Sequence, residues 1–230
     1  MTKGKLILGA LVASLVALPQ VARAKDGHAR LPGLDGKRPG LTMKVLRYTG
    51  GTNGKMVVEV RNPSLQTVAF DPTGLYFVPE GDPDKAPQRL GAAGPFEVSE
   101  GGVWKSQEKL RVPPGKTAKV QLQVFCIDSH RSSPTASHQF NMAAERLPKN
   151  LRREISAGAS DALRKSGNRM PAAKSAIQSH IWKTRDQRWI KLEGERRQEK
   201  NATPPDQRRY RPGIRRMIRP SSMDQRQSID

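Results

Sequence analysis

The sequence predicts a mainly β protein with appended α structure: an immunoglobulin-like β-sandwich followed by a helical pair and a disordered basic tail. Short runs of alternating apolar and polar residues recur about every ten residues from 41 to 128, a spacing typical of a sandwich. These runs leave no room for the crossover helices of a parallel sheet. Apolar residues then recur at helical spacing across 129–194 and become scarce across 195–230.

The N-terminus has the order of features of a cleavable secretory signal peptide. Lys3 and Lys5 precede an apolar stretch at 6–18, and the triplet Ala22-Arg23-Ala24 supplies the small-x-small pattern that a signal peptidase needs. The apolar stretch is shorter than the roughly 20 residues that cross a bilayer as a helix. We therefore predict that 1–24 is removed and that the protein is exported, either periplasmic or secreted, with no transmembrane segment after cleavage.

The mature chain is predicted to begin with a flexible leader at 25–40, which is rich in Gly, Pro and charge and has no period. The β-sandwich domain follows at 41–128, with a long loop at 80–95. Its predicted strands are 41–48, 56–61, 68–70, 75–78, 96–98, 103–112 and 117–127.

A polar, Pro-containing link at 129–137 leads to the predicted helical pair, which completes the segment 129–194. Leu147, Leu151, Ile155 and Ala159 step by four, with Pro148 in the first turn. Ser166-Gly167-Asn168 ends this helix, and Pro171 opens a second. In the second helix Ala173, Ile177 and Ile181 step by four, and it is predicted to reach Trp189 or Leu192. We expect both helices to pack on the sandwich.

The C-terminal segment 195–230 is predicted to be a disordered basic tail because its composition cannot bury enough apolar surface to order itself. The formal net charge of the chain is +20, which favours attraction to polyanions. The candidate polyanion-binding residues are Arg196, Arg197, Lys200, Arg208, Arg209, Arg211, Arg215, Arg216 and Arg219. Such a tail is either a solvated extension or an electrostatic arm whose arginines bind phosphate or sulfate in a bidentate manner.

The expected partners of this tail are anionic envelope or extracellular polymers. Export directs the protein away from chromosomal DNA. Tyr210 is the only aromatic residue among the basic ones, so base stacking is not supported and no specific nucleic-acid partner is predicted.

Cys126 is the only cysteine, which excludes an intrachain disulfide. It has the same parity as Val120, Leu122 and Val124 on the last predicted strand, so the simplest interpretation is a small apolar residue in the core. Intermolecular pairing and a reactive thiol are the alternatives.

Two short motifs favour a reactive thiol at Cys126. Phe125-Cys126-Ile127 and Ile177-Gln178-Ser179-His180-Ile181-Trp182 together resemble the two signatures of bacterial surface thioester domains. The resemblance implies that Cys126 attacks the carboxamide of Gln178, releases ammonia and leaves an internal thioester, with Trp182 as a wall of the pocket. One alternative is an amphipathic helix with Gln178 exposed. Another is a related, thioester-less group of exported proteins with a β-sandwich and helices.

An enzyme, a cofactor and a metal site are not predicted. Cys126, Asp128 and His130 could form a cysteine nucleophile with a base, but near neighbours on a straight strand seldom converge to about 3 Å. His28, His130, His138 and His180 do not have the spacing of a zinc site. We therefore expect a non-enzymatic binding or cell-surface interaction protein. A covalent adhesin with a Cys126–Gln178 thioester is the alternative, and a cysteine-dependent enzyme is the distant third.

Overall fold

The computed structural model describes residues 27–35, 37, 40–83, 85–187 and 191–194. Within these residues the chain is mainly β, and two helices follow the strands. The strands are β1 (Ala29–Arg30), β2 (Thr42–Tyr48), β3 (Lys55–Arg61), β4 (Val68–Phe70), β5 (Tyr76–Pro79), β6 (Leu90–Glu100), β7 (Val103–Gln107), β8 (Leu110–Val112), β9 (Thr117–Cys126) and β10 (Phe140–Met142). The helices are α1 (Lys149–Lys165) and α2 (Met170–Gln187). The predicted signal peptide and basic tail lie outside the described residues.

One antiparallel sheet contains most of the strands, in the order β1-β2-β3-β9-β6-β5-β10, with β7 added to β6. β4 and β8 form a separate two-stranded ribbon. The sheet curls until β2 and β10 approach each other, and the rings of Tyr48 and Phe140 meet edge to face across this seam at 5.3 Å. The result is nearly barrel-like. The mainly β class is confirmed, whereas an immunoglobulin-like sandwich in particular is not.

The alternation of apolar residues explains how β3 and β9 form the centre of the sheet. Met56 lies opposite Leu122 and Val58 lies opposite Val120 in an antiparallel register. All four side chains point into the main core, where each is at most 1% exposed. Because side chains alternate between the two faces of a strand, this register places every second residue of both strands in the same core.

The sheet extends beyond the predicted domain 41–128 at both ends. β1 lies in the predicted flexible leader, where Ala29 pairs with Met43 and Leu31 is buried. β10 lies after the predicted link and pairs with β5. Both strands are too short to show a period of two, and their pairing depends on a neighbour that is distant in sequence.

The predicted loop 80–95 and the predicted strand 103–112 are both wrong in part. β6 begins at Leu90, inside the predicted loop. Gly94 and Pro95 are typical of loops in sequence, but here they lie in a bulge within the strand. Gly94 has a φ of 81°, which favours glycine. The predicted strand 103–112 is divided into β7, which pairs with β6, and β8, which pairs with β4.

The helical pair packs on the sheet, as the spacing of apolar residues predicts. Leu151, Ile155 and Ala159 of α1 and Ile177 and Ile181 of α2 are buried in a second core. This core also contains Phe125 of β9 and Ile127, which directly follows β9. β9 is thus covered on both faces. α2 is described as far as Gln187. Of its two predicted ends, Trp189 lies outside the described residues, and Leu192 is wrong because Leu192 is not helical.

No helix among the described residues has the length and apolar character needed to cross a membrane.

Candidate functional site

The candidate site lies where β9 ends beneath α2. Side chains alternate along this strand, so Cys126 points into the main core with Val124, while Phe125 and Ile127 point toward the helices. The thiol and the helix that carries Gln178 are therefore on opposite faces of the sheet.

Gln178 nevertheless contacts Cys126 through the backbone. The backbone N–H of Cys126 donates to Oε1 of Gln178 at 3.0 Å, and Nε2 of Gln178 donates to the backbone carbonyl of Cys126 at 2.7 Å. Gln178 is 3% exposed, so the interpretation in which it is exposed on the helix is wrong. The side-chain amide of Gln178 thus both accepts from and donates to the backbone of Cys126, as a residue on a neighbouring strand would. It thereby satisfies the carbonyl of Cys126, which would be costly to bury alone, and gives a second acceptor to the N–H of Cys126, which also donates to the carbonyl of Thr52 at 3.0 Å.

The thiol of Cys126 is fully buried and unpaired. Burial raises its pKa to about 12, and the nearby charge of Asp128 contributes in the same direction. A thiol is nucleophilic as the thiolate, so at neutral pH this group is protonated and unreactive in the arrangement described. The core position predicted for Cys126 is confirmed.

Asp128, two residues beyond Cys126, forms a buried ion pair with Arg89. We call the site formed by Arg89, Cys126, Asp128 and Gln178 the polar junction. Nε and Nη2 of Arg89 donate to the two carboxylate oxygens of Asp128 at 2.8 and 2.6 Å. The backbone N–H of Arg89 adds a third bond at 3.1 Å, and both side chains are fully buried. Nη1 of Arg89 also donates to the carbonyl of Glu193 at 3.1 Å, which connects the segment after α2 to the sheet.

The pKa of Asp128 reflects this pairing. Burial alone would raise the pKa of the carboxyl group, but the hydrogen bonds and charge of Arg89, together with the charge of Arg185, outweigh burial and hold the pKa below its usual range. Asp128 is therefore a carboxylate at neutral pH.

Further polar contacts hold α2 against the loops of the sheet. Nε1 of Trp182 donates to Oε1 of Gln88 at 3.2 Å, and the hydroxyl of Ser129 donates to the carboxylate of Asp186 at 3.0 Å. Trp182 is partly buried against the main core. It lies one helical turn beyond Gln178, as the predicted pocket wall requires, but its indole also hydrogen-bonds to the loop before β6.

Two of the three residues considered for a cysteine enzyme, Asp128 and His130, have surroundings that the structure describes. Both oxygens of Asp128 are bonded to Arg89, and burial lowers the pKa of His130. In this arrangement Asp128 holds Arg89, which in turn bonds to the carbonyl of Glu193 in the segment after α2.

Sequence reasoning missed Arg89, which lies in the predicted loop 80–95. No local signal marks an arginine as buried, because its partner Asp128 is 39 residues away in sequence. The sequence suggests a role for Asp128 only as part of a catalytic group.

The described residues contain no group of three or more His, Cys, Asp or Glu side chains that could hold a metal ion. The candidate polyanion-binding residues from Arg196 to Arg219 lie outside the described part of the chain. Their role stays a prediction.

The fold and the site together define a helix-covered, nearly barrel-like antiparallel β protein with a buried polar junction. Comparison with protein-family models, with curated proteins and with solved structures finds no match to this chain. The resemblance to thioester domains stays a prediction.

Proposed function

We propose that this protein is an exported, non-enzymatic binding protein for anionic polymers of the cell envelope or the extracellular matrix. The observation that carries the proposal is the formal net charge of +20. Between 195 and 230 the basic residues outnumber the acidic ones, and most of them are arginines, whose planar guanidinium binds phosphate and sulfate in a bidentate manner.

The polar junction supports a binding role over an enzymatic one. The groups that a catalytic site would use are engaged inside the protein: the Cys126 thiol is protonated and buried, and Asp128 is paired with Arg89. The β domain then acts as a scaffold for the basic tail. A barrel-like sheet serves this purpose as well as the immunoglobulin-like sandwich that the sequence predicts.

Neutralising the tail tests this function. In the full mature chain, the nine candidate basic residues from Arg196 to Arg219 are replaced by glutamine, and binding to dextran sulfate is titrated at about 50 and about 200 mM salt. We expect the affinity at low salt to fall roughly tenfold or more, with a shallower dependence on salt, because fewer counterions are released.

The matched control replaces the eight arginines of this set by lysine and thus keeps the charge. This variant should retain most of the salt dependence but bind less tightly, because lysine lacks the bidentate geometry. If the glutamine variant binds dextran sulfate as tightly as the parent chain, the basic tail is not the binding element.

A covalent adhesin is the second candidate, because the buried side chain of Gln178 is hydrogen-bonded to the backbone of Cys126, whose thiol would have to turn from the main core to the other face of the strand to reach it. In this reaction Sγ of Cys126 attacks Cδ of Gln178, the C–N bond breaks, and the nitrogen leaves as ammonia with the thiol proton. An amine or hydroxyl group on a host surface then opens the thioester.

Intact mass spectrometry of the exported protein separates the two candidates. We expect the full mass of a chain that starts at Lys25 and no labelling of Cys126 in the folded state, because burial keeps the thiol protonated. A mass about 17 Da lower, with methylamine restoring a labelled thiol, would instead establish the thioester. A chain that still carries 1–24 would contradict export by a cleaved signal.

A further inference from the structure

A break in the pairing of β6 with β9 lies beneath α1. Ala92 pairs with Val124 and Phe96 pairs with Leu122, so the three residues 93–95 face the single residue Gln123. A bulge of this size leaves backbone groups without their usual partners in the ladder.

The direction of the neighbouring hydrogen bonds shows which backbone groups face the bulge. Val124 and Cys126 donate away from β6, to the carbonyls of Gly54 and Thr52, whereas Ile127 donates to the carbonyl of Arg89 on the β6 side. Because the direction alternates along an antiparallel strand, the backbone N–H and carbonyl of Gln123 point toward the bulge. Pro95, in the bulge, has no N–H to offer.

The side chain of Gln123 adds a further polar group at the same place. Gln123 is 5% exposed, and its Oε1 is buried without a hydrogen-bond partner in the part of the chain that the structure describes. A buried acceptor without a partner costs on the order of the full desolvation of that group, so native structures usually satisfy it with protein or with ordered water.

A small cavity adjoins Gln123 at the bulge. Its volume of about 30 Å³ exceeds the roughly 10–15 Å³ that a single water molecule requires. Thr73 and Ser156 contribute to its lining, together with Gly94. Ser156 belongs to α1, and a Cβ at Gly94 would lie 2.8 Å from the methyl carbon of Met170, so the helices cover the bulge closely.

We propose that this cavity binds one ordered water molecule, which donates a hydrogen bond to Oε1 of Gln123 and bridges β9 to α1. The site takes water and no larger ligand, because the volume admits little more than one molecule. Its polar lining distinguishes it from the apolar cavities that stay empty. The bulge in β6 thus provides a hydrated contact between the sheet and the helical pair.

Nuclear Overhauser contacts between water and the protein test the proposal on the full mature chain. We expect a cross-peak between a long-lived water and the side-chain amide protons of Gln123. Gln121 is the matched control, because it is buried on the same strand but its Oε1 accepts a hydrogen bond from Nζ of Lys55 at 3.4 Å. The absence of a long-lived water at Gln123 overturns the proposal.

The sign of a stability change provides a second readout. If a bound water donates a hydrogen bond to Oε1 of Gln123, then Gln123→Leu leaves that water without one of its hydrogen-bond partners. The equilibrium constant for unfolding should then rise about tenfold. If the acceptor has no partner, leucine removes a costly polar group and the constant should fall, which overturns the proposal. The corresponding Gln121→Leu variant should leave the water cross-peak at Gln123 unchanged.

Discussion

Replacement of Asp128 by asparagine is expected to lower the free energy of unfolding by about 3–5 kcal/mol, as measured by urea denaturation. Asparagine keeps the size of the side chain but leaves the guanidinium of Arg89 buried without its counter-charge. Both side chains of this pair are fully buried, so water cannot compensate for the lost charge. This change has the largest expected effect on the fold.

Asp161→Asn is the matched control for this substitution. Asp161 also contacts two basic side chains, Arg164 and Lys165, but all three lie on the surface of α1. Exposed pairs are screened by solvent and contribute little, so the control should unfold at the same urea concentration as the parent. Equal effects of the two substitutions would show that burial does not determine the strength of the Asp128 pair.

Asp128 should also make the free energy of unfolding depend on pH under acidic conditions. The folded pKa of Asp128 lies below that of an unfolded carboxyl group, about 3.9, so its contribution is present above that value. The contribution is lost as the pH falls toward the folded pKa. A series of urea denaturations between about pH 2 and about pH 7 should show this acid-sensitive component in the parent chain and a smaller one in Asp128→Asn.

Gln178→Ala is expected to lower the free energy of unfolding by about 1–3 kcal/mol, because the buried carbonyl of Cys126 loses the amide donor of Gln178, while the N–H of Cys126 keeps the carbonyl of Thr52 as an acceptor at 3.0 Å. Hydrogen exchange at the amide of Cys126 should accelerate, since its N–H loses Oε1 of Gln178 and keeps only the carbonyl of Thr52 as an acceptor. Urea denaturation and exchange monitored by NMR provide the two measurements.

Ser179→Ala is the control, because Ser179 is the exposed neighbour on the same helix. It should change neither stability nor exchange at Cys126. If the amide of Cys126 remains equally protected in Gln178→Ala, the hydrogen bonds of Gln178 are not what holds this strand end. In the thioester alternative, the same variant would instead gain a free thiol, and a mass deficit of about 17 Da would disappear.

The sequence predicts much of the architecture because the signals involved are local. Met56, Val58 and Val60 alternate along β3, and Leu151, Ile155 and Ala159 recur at helical spacing along α1. Each pattern reports which face of an element is apolar, and that face is the one that becomes buried.

The junction could be predicted only in part. The pairing of Cys126 with Gln178 follows from a resemblance of two short motifs, yet the contact in the structure is between a side-chain amide and a backbone, with the thiol on the other face of the sheet. The alternation of side chains along the strand correctly predicts that the thiol lies in the core. It does not reveal where the amide points.

By itself, the sequence determined that this chain forms a mainly β domain followed by two amphipathic helices, and that it carries a strongly positive charge. These properties depend on composition and on periods of a few residues. Only the tertiary structure decided that Arg89 pairs with Asp128 and that Gln178 reaches Cys126, across 39 and 52 residues of chain. The physical reason is that a buried polar contact depends on where two distant elements meet, and local periodicity does not encode that meeting point.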